Sequence, residues 1–409
     1  MSRKLSDWLD SYLRYTEGQE SPEKFHLWTG FVMLAAALKR QVWMSRGFYK
    51  LYPNIYVLMV AESAKLRKSA AADLGLDIIV EAVPDLYYIT DRTTPEGIVQ
   101  HMNRSKTLIA DKTNIRMDSH ILIAADELAN LFGFDRQMAS RMAIFLTRTY
   151  MAPGRYLHTT SKDGQTELHN LYPTVIACTE PRNLKVLPEE AIGGLVGRII
   201  FVTSSERRKV IAWPELDDAN VGLRRNIVED LYTISTMQGE MTPTQKAKDF
   251  FTDWYNSLAM STSNDPRLDA FQARCHDTAL KIAMLLSVAR SDNMVLEVSH
   301  VAGGITFIEQ QLPAFSRVVN WANASVFAQN KAKFIDLLDR NNGVSSRRIA
   351  LKVLGINLDE IVLLEDTLQQ EHLIQVKVLG GKDVTYKRLI SQETSDIPPP
   401  NHQSQDTPS

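Results

Sequence analysis

The chain has 409 residues, enough for two or three domains with a sizeable core. Its 46 Lys and Arg against 48 Asp and Glu leave a formal net charge of −2, so any nucleic-acid partner must meet a local basic surface rather than a global field. Cys178 and Cys275 are far apart and lack metal-ligand spacing, which excludes a disulfide framework and a zinc site, and the uncharged stretch Trp28 to Leu38 is too short to cross a bilayer. No signal-peptide pattern opens the sequence; a cytoplasmic protein without a membrane partner is expected.

Residues 1–50 read as an N-terminal helical region, with Leu5, Trp8, Leu9, Tyr12 and Leu13 at helical spacing and a second apolar segment running from Pro22 through Phe31 and Leu38. From Asn54 the pattern changes to five short β-rich runs ending near Val60, Thr90, Ala125, Thr179 and Val202, separated by segments of helical spacing. Such alternation predicts an α/β core over 51–212, a mostly parallel sheet flanked by helices on both faces. After Trp213 and Pro214 the strands disappear, and 213–327 reads as a helical lid subdomain. Three short helical pieces and a hairpin signal at Gly380-Gly381 give 328–391 a winged-helix order, and the proline-containing 392–409 reads as a disordered tail.

The first strand of the core runs into Ala61-Glu62-Ser63-Ala64-Lys65-Leu66-Arg67-Lys68-Ser69 and then into an Ala-rich helical start. A phosphate-binding loop needs backbone N–H groups at a helix N-terminus, a Lys for the β/γ oxygens and a hydroxyl for Mg²⁺; Lys68 and Ser69 supply the last two. The usual glycines are missing, with Glu62 and Arg67 in their places, and the plain alternative is a Lys-Ser pair opening an ordinary helix. A second run, Ser119 to Ala125, delivers Asp126 and Glu127 at the end of a buried strand, where an Asp can hold Mg²⁺ and a Glu can polarise an attacking water. The alternative is an acidic pair capping the next helix.

Thr179 ends a third strand at the same edge, within reach of a γ-phosphate or of the water, or is simply a turn threonine. Gly193-Gly194-Leu195-Val196-Gly197-Arg198 places an Arg on a glycine-freed loop, suited to a neighbouring subunit's γ-phosphate or to a surface salt bridge. Arg274 and Lys281, two helical turns apart, share one face that either closes as a lid over the phosphates or is solvated.

VAESAKLRKS, AADELANLFG, YPTVIACTEPRNL and GGLVGRIIFV, in this order, resemble a family of phage and prophage P-loop ATPases described as helicase or primase-associated proteins, over roughly residues 20–310. The layout is similar to that of the minichromosome maintenance helicases of the AAA+ class. The resemblance implies an AAA+-type P-loop ATPase core with ATP and Mg²⁺ as cofactors. It further implies Lys68 and Ser69 as Walker A residues with Ser63 and Arg67 in the same loop, Asp126 and Glu127 as Walker B, Thr179 as sensor 1, Arg198 as a trans-acting finger and Arg274 as sensor 2. The glycine-poor loop departs from both patterns.

Between the acidic pair and Thr179, RYLHTTSKDGQTELHNLYP reads as a β-hairpin turning at Asp163-Gly164, with Lys162 at its tip and His158 and His169 flanking it. It is either an ordinary surface hairpin or, as the resemblance implies, a pore hairpin contacting single-stranded DNA inside a homo-oligomeric ring, a hexamer. In the winged helix, Arg347, Arg348, Lys377, Lys382 and Lys387 are basic, but the third helix carries Asp359, Glu360, Glu365, Asp366 and Glu371 without a Lys or Arg. Phosphate repulsion argues against that helix in a major groove and for a protein partner or a wing contact. The expected function is an ATP-dependent, ring-forming DNA helicase or translocase of a phage or mobile element, acting in replication. The rivals are a nucleotide-dependent loader or switch that recruits replication partners without unwinding, and a DNA-binding protein with a dead nucleotide site.

Overall fold

The computed structural model describes residues 3–62, 66–104, 107–110, 115–133, 135–160, 164–188, 194–260, 266–323, 326–379 and 383–389. They belong to two units, Met1–Asn323 and Ala324–Ser409. In the first unit, α1 (Trp8–Tyr15) and α2 (Glu23–Leu38) lead into a hairpin of β1 (Val42–Ser45) and β2 (Lys50–Leu51). That hairpin corrects the helical reading of residues 1–50. Helix α2 is apolar on nearly every side and its residues from Trp28 to Leu38 are all buried, so it is a core helix rather than an amphipathic surface one.

Next come β3 (Tyr56–Val60), α3 (Lys68–Ala82), β4 (Tyr88–Ile89), α4 (Pro95–Arg104), β5 (Thr107–Ala110) and β6 (Ile115–Ala125). They are followed by α5 (Leu128–Phe132), α6 (Arg136–Thr149), β7 (Arg155–Thr160), β8 (Gly164–His169), β9 (Leu171–Thr179) and β10 (Ile199–Thr203). The main sheet has the order β10-β3-β9-β6-β4, all neighbours parallel, with β5 antiparallel against β6. Alternate residues along these strands enter opposite cores. Val57, Met59, Ile176, Cys178 and Val202 pack in one apolar cluster with α2 and α3, whereas Leu58, Val60, Val175, Ala177 and Phe201 pack in another with α4, α5 and α6.

The sheet is followed by α7 (Asp218–Ser235), α8 (Gln245–Met260), α9 (Pro266–Arg290), α10 (Val298–Glu309) and α11 (Leu312–Asn323), interrupted by two-residue strands at 239–240, 242–243 and 295–296. Ile227, Leu231 and Ile282 join the same cluster as α2 and α3, so the N-terminal helices, the sheet and the expected lid share one core. Close approach fixes α3: a Cβ on Gly75 would lie 2.2 Å from Thr29 Cγ2 of α2. Among the described residues, no helix is long and apolar enough to cross a membrane.

The second unit contains α12 (Val326–Arg340), β11 (Val344–Ser346), α13 (Arg347–Leu354), α14 (Leu358–Gln370), β12 (Ile374–Leu379) and β13 (Asp383–Arg388). β13 lies between β11 and β12, antiparallel to both. Buried Glu365 of α14 receives Arg347 Nε at 2.7 Å and the Tyr386 hydroxyl, which locks α14 to α13 and β13. Arg347 is therefore committed inside this unit.

Candidate nucleotide-binding edge

Parallel pairing brings the C-terminal ends of β3, β9 and β6 side by side, since Val60 pairs with Thr179 and Ala125 with Ala177. Ligands of open parallel sheets bind beyond such ends. From β3 the chain passes Ala61 and Glu62, and it returns through Leu66 and Arg67 to open α3 at Lys68. The free N–H groups of this 15-residue helix point along its axis toward the same edge.

Arg67 adopts a left-handed backbone, φ 48 and ψ 45, at the position where a phosphate-binding loop usually has glycine. An L-residue in that conformation costs about 1–2 kcal/mol. Two neighbours in sequence hold it there: Ser21 Oγ donates to Arg67 O at 2.9 Å, and the Arg67 guanidinium pairs with the Glu20 carboxylate. Glu20 is itself anchored, accepting from the Ile211 N–H at 3.0 Å with Arg207 at 3.8 Å. The buried Lys68 ammonium donates to Ala61 O at 2.7 Å, so it lies back across its own loop.

On the acidic side, Thr179 is fully buried and its hydroxyl donates to Glu127 Oε1 at 2.8 Å. Asp126 is exposed and accepts from Asn130 Nδ2 at 2.9 Å. Ser69 and Asp126 both line a cleft of about 250 Å³, together with Asp73 and Thr90. Burial raises the Asp73 carboxyl above its ordinary value, and the nearby Asp77 and Asp126 charges add to the effect. The sequence reading missed Asp73, although its place one helical turn after Ser69 was the available signal. Buried Cys178, one residue before Thr179, is pushed up to about 12 by desolvation, partly opposed by Lys68, so it is an inert thiol.

The other cations lie at the opposite edge. Arg198 immediately precedes β10, whose first residue pairs with Tyr56 at the start of β3. Five strand residues, about 16 Å, separate that end from the Lys68 loop. Arg198 is half-buried, bonded through Nη1 to Gly194 O, with its guanidinium carbon 5.9 Å from the Tyr150 ring centroid. Burial lowers its affinity for the proton, and neighbouring Arg274 lowers it further. Arg198 Nε has no hydrogen-bond partner among the described residues.

Lys281 departs most from expectation. It is fully buried, donating to Asn54 O at 2.9 Å, Asn54 Oδ1 at 3.1 Å and Tyr150 O at 3.4 Å, with its ammonium 3.7 Å above the Tyr150 ring. Asn54 precedes β3, so Lys281 is neither a solvated helix edge nor a lid over the phosphates of this chain; it braces the opposite end of the sheet. Desolvation lowers its pKa from 10.5 to about 7, against the opposing pull of Asp277. Arg274 belongs to that end as well: its carbonyl accepts from Thr278 Oγ1 at 3.2 Å, and that hydroxyl lies 3.2 Å from the Tyr150 hydroxyl.

β7 and β8 form the expected hairpin, His158 opposite Thr166. Lys162 lies outside the described residues, as does Ser63. His158 stacks on Tyr156 with centroids 6.3 Å apart, and its Nε2 is 3.9 Å from Glu96, so it faces the body of the unit instead of extending the basic tip. Among the described residues, no group of three or more His, Cys, Asp or Glu side chains could hold a metal by itself.

No family model matches the sequence, and no curated protein does. Among solved structures, a full-length MCM homologue from Methanopyrus kandleri is similar over 75% of this chain and 59% of that chain, with a TM-score of 0.41 and 12% identity. The chain thus spans under two thirds of the length of that protein.

Proposed function

We propose that the first unit is an ATPase whose site is shared between two copies of the chain, and that it acts as a ring-forming DNA helicase or translocase in replication. The observation that carries this reading is the alignment of the Lys68 loop, the Thr179–Glu127 pair and Asp126 along one sheet edge, with Arg198 and Arg274 about a strand's length away at the other. Lys68 and the α3 N-terminus bind the triphosphate, Glu127 orients and deprotonates the attacking water, and Thr179 holds that carboxylate in place. Arg198 and Arg274 reach the γ-phosphate of a neighbouring copy, which gives the unpartnered Nε of Arg198 an acceptor. The donor set suits Mg²⁺: the Ser69 hydroxyl and the Asp126 carboxylate are hard oxygens that leave the remaining positions to phosphate and water. When bound, the ion neutralises charge on the transferring phosphoryl group.

The second unit has a helix-strand-helix-helix-strand-strand order, and we assign it as a winged helix whose acidic α14 takes a protein partner. A ring with Lys162 of each copy at its pore would hold single-stranded DNA without a strongly basic protein. Retention of a fluorescent ATP analogue, measured with turnover in the parent and in Glu127→Gln, tests the core of the reading. Analogue retained by both with turnover lost only in the variant is expected; undiminished turnover in Glu127→Gln removes Glu127 from its role.

One observation favours the rival of a loader or switch that does not unwind. Arg67 in place of glycine stiffens the loop and ties it to Glu20, a design suited to slow turnover. Strand displacement on forked DNA separates the two, because a loader assembles on the fork without opening it.

A further inference from the structure

The hairpin before the sheet carries chemistry that the nucleotide edge does not use. Its strands pair Met44 with Leu51 and Ser45 with Lys50, and the tip Arg46-Gly47-Phe48-Tyr49 is closed by the Arg46 N–H donating to Tyr49 O at 2.8 Å, with Gly47 at φ 69. Side-chain contacts hold the tip rigidly. The Tyr49 hydroxyl donates to Asp277 at 2.9 Å, and the Arg46 guanidinium lies 5.1 Å from the Phe251 ring centroid. Lys50 sits 4.4 Å above Trp43. Phe48, by contrast, is completely exposed at the turn, where its backbone N–H donates to Arg46 O at 2.9 Å.

Beside the tip a cleft of about 320 Å³ opens between the hairpin and α8, lined by Arg46, Gly47, Lys248, Phe251 and Thr252 over an apolar floor that includes Leu280. Phe251 in its wall is buried under the Arg46 guanidinium, so the exposed ring beside the cleft is that of Phe48, and the rim offers two cations with Lys50 as a third on the adjoining strand. Of the carboxylates nearby, Asp277 is engaged by Tyr49, Asp249 accepts from Gln245 at 2.8 Å, and Glu240 lies opposite Trp43 in the neighbouring strand.

We propose that this hairpin and cleft are a binding site for single-stranded nucleic acid, with a base stacked on Phe48 and the backbone phosphates on Arg46, Lys248 and Lys50. Stacking on an exposed ring at a closed turn tolerates any base, and Arg46 and Lys50, already parked on aromatic faces, give up little freedom on meeting phosphate. The arrangement fits a strand better than a duplex, whose bases are closed to a protruding phenyl ring. This site shares with the proposed function only the nature of the partner; it needs neither ATP nor hydrolysis.

The test is fluorescence anisotropy of a labelled oligo(dT) against the full chain without nucleotide, over a salt series. Phe48→Ala is expected to weaken binding by about tenfold and Phe48→Trp to preserve it, a loss in the range for one stacked base. Arg46→Ala with Lys248→Ala is expected to flatten the slope of log K against log salt by about 1.4, the share of two phosphate contacts on a single strand. The Phe48 side chain is fully exposed and its backbone bond survives substitution, so the Phe48→Ala variant should unfold at the parent temperature and retain the ATP analogue at the parent level. Failure of the nucleotide reading would appear as absent analogue retention with these oligonucleotide results intact. Parent-like affinity and salt slope in both sets of variants overturn the proposal. So does a change of native mass in Phe48→Ala without loss of oligonucleotide binding, which assigns the tip to a second copy of the chain.

Discussion

Lys68 and Lys281 are both buried lysines at the ends of β3, and they are held in different ways. Lys68 rests on two carbonyls of its own loop, Ala61 O at 2.7 Å and Glu62 O at 3.5 Å, and the next residue, Ser69, lines the cleft with Asp73 and Asp126. Lys281 is enclosed by three oxygen acceptors and the face of Tyr150, and desolvation brings it to about 7. A cation held only by carbonyls of its own loop can exchange them for a ligand. One whose acceptors would be orphaned by its departure is structural. The same contrast separates Glu127, tethered by a single hydroxyl, from Glu365, fixed by an arginine and a tyrosine.

Breaking each partner of this comparison gives distinct outcomes. Glu127→Gln should reduce ATP turnover by about 10²–10⁴-fold, the usual contribution of a positioned general base, while thermal unfolding stays at the parent value. For the two lysines, Lys68→Met should abolish retention of an ATP analogue yet leave the fold intact. Lys281→Met should do the reverse, keeping the analogue but changing stability, with the unpaired acceptors costing roughly 1–3 kcal/mol at high pH, where the burial penalty on the charge has lifted. Denaturant unfolding of both variants checks this, and equal stability loss in the two would erase the distinction.

The pH dependence of Lys281 sharpens it. Its folded pKa is lowered from 10.5 to about 7, so between those values the unfolded chain binds more protons than the folded one. The penalty is therefore fully present below pH 7 and lifts as pH rises toward 10.5, contributing a slope of at most about 1.4 kcal/mol per pH unit. Stability measured across that window should rise less steeply in Lys281→Met than in the parent.

Smaller effects test the supports of the nucleotide edge. Thr179→Val should cost about tenfold in turnover, and Thr179→Ser, which keeps the hydroxyl on Glu127, should recover most of it. Glu20→Ala should destabilise the loop more in the parent than in an Arg67→Gly background, because glycine adopts the left-handed conformation without help and recovers about 1 kcal/mol of strain. Analogue affinities of the four proteins give the coupling, and additive effects would show that Glu20 does not restrain Arg67.

The parallel core was legible because its strands are almost wholly apolar. The runs expected to end near Val60, Thr90, Ala125, Thr179 and Val202 end at Val60, Ile89, Ala125, Thr179 and Thr203. The placement of Asp126, Glu127 and Thr179 at the sheet edge is readable for the same reason, since a polar residue closing a buried strand must emerge there. Helical spacing placed Arg274 and Lys281 on one face but carried no information about which end of the sheet that face meets. Glu20 and Arg67 are 47 positions apart in sequence, and no local pattern records their pairing. The β1–β2 hairpin was absorbed into a helical reading because Val42, Met44 and Leu51 offer too short an alternation to outweigh the apolar helix before them.

If the two ends of the sheet serve one nucleotide in different molecules, subunit mixing reveals it. Arg198→Ala and Glu127→Gln should each be inactive alone, and an equimolar mixture allowed to exchange should regain ATP turnover where an intact Glu127 edge meets an intact Arg198. Full turnover in Arg198→Ala alone, or a mixture as inactive as its components despite proven co-assembly, would contradict it.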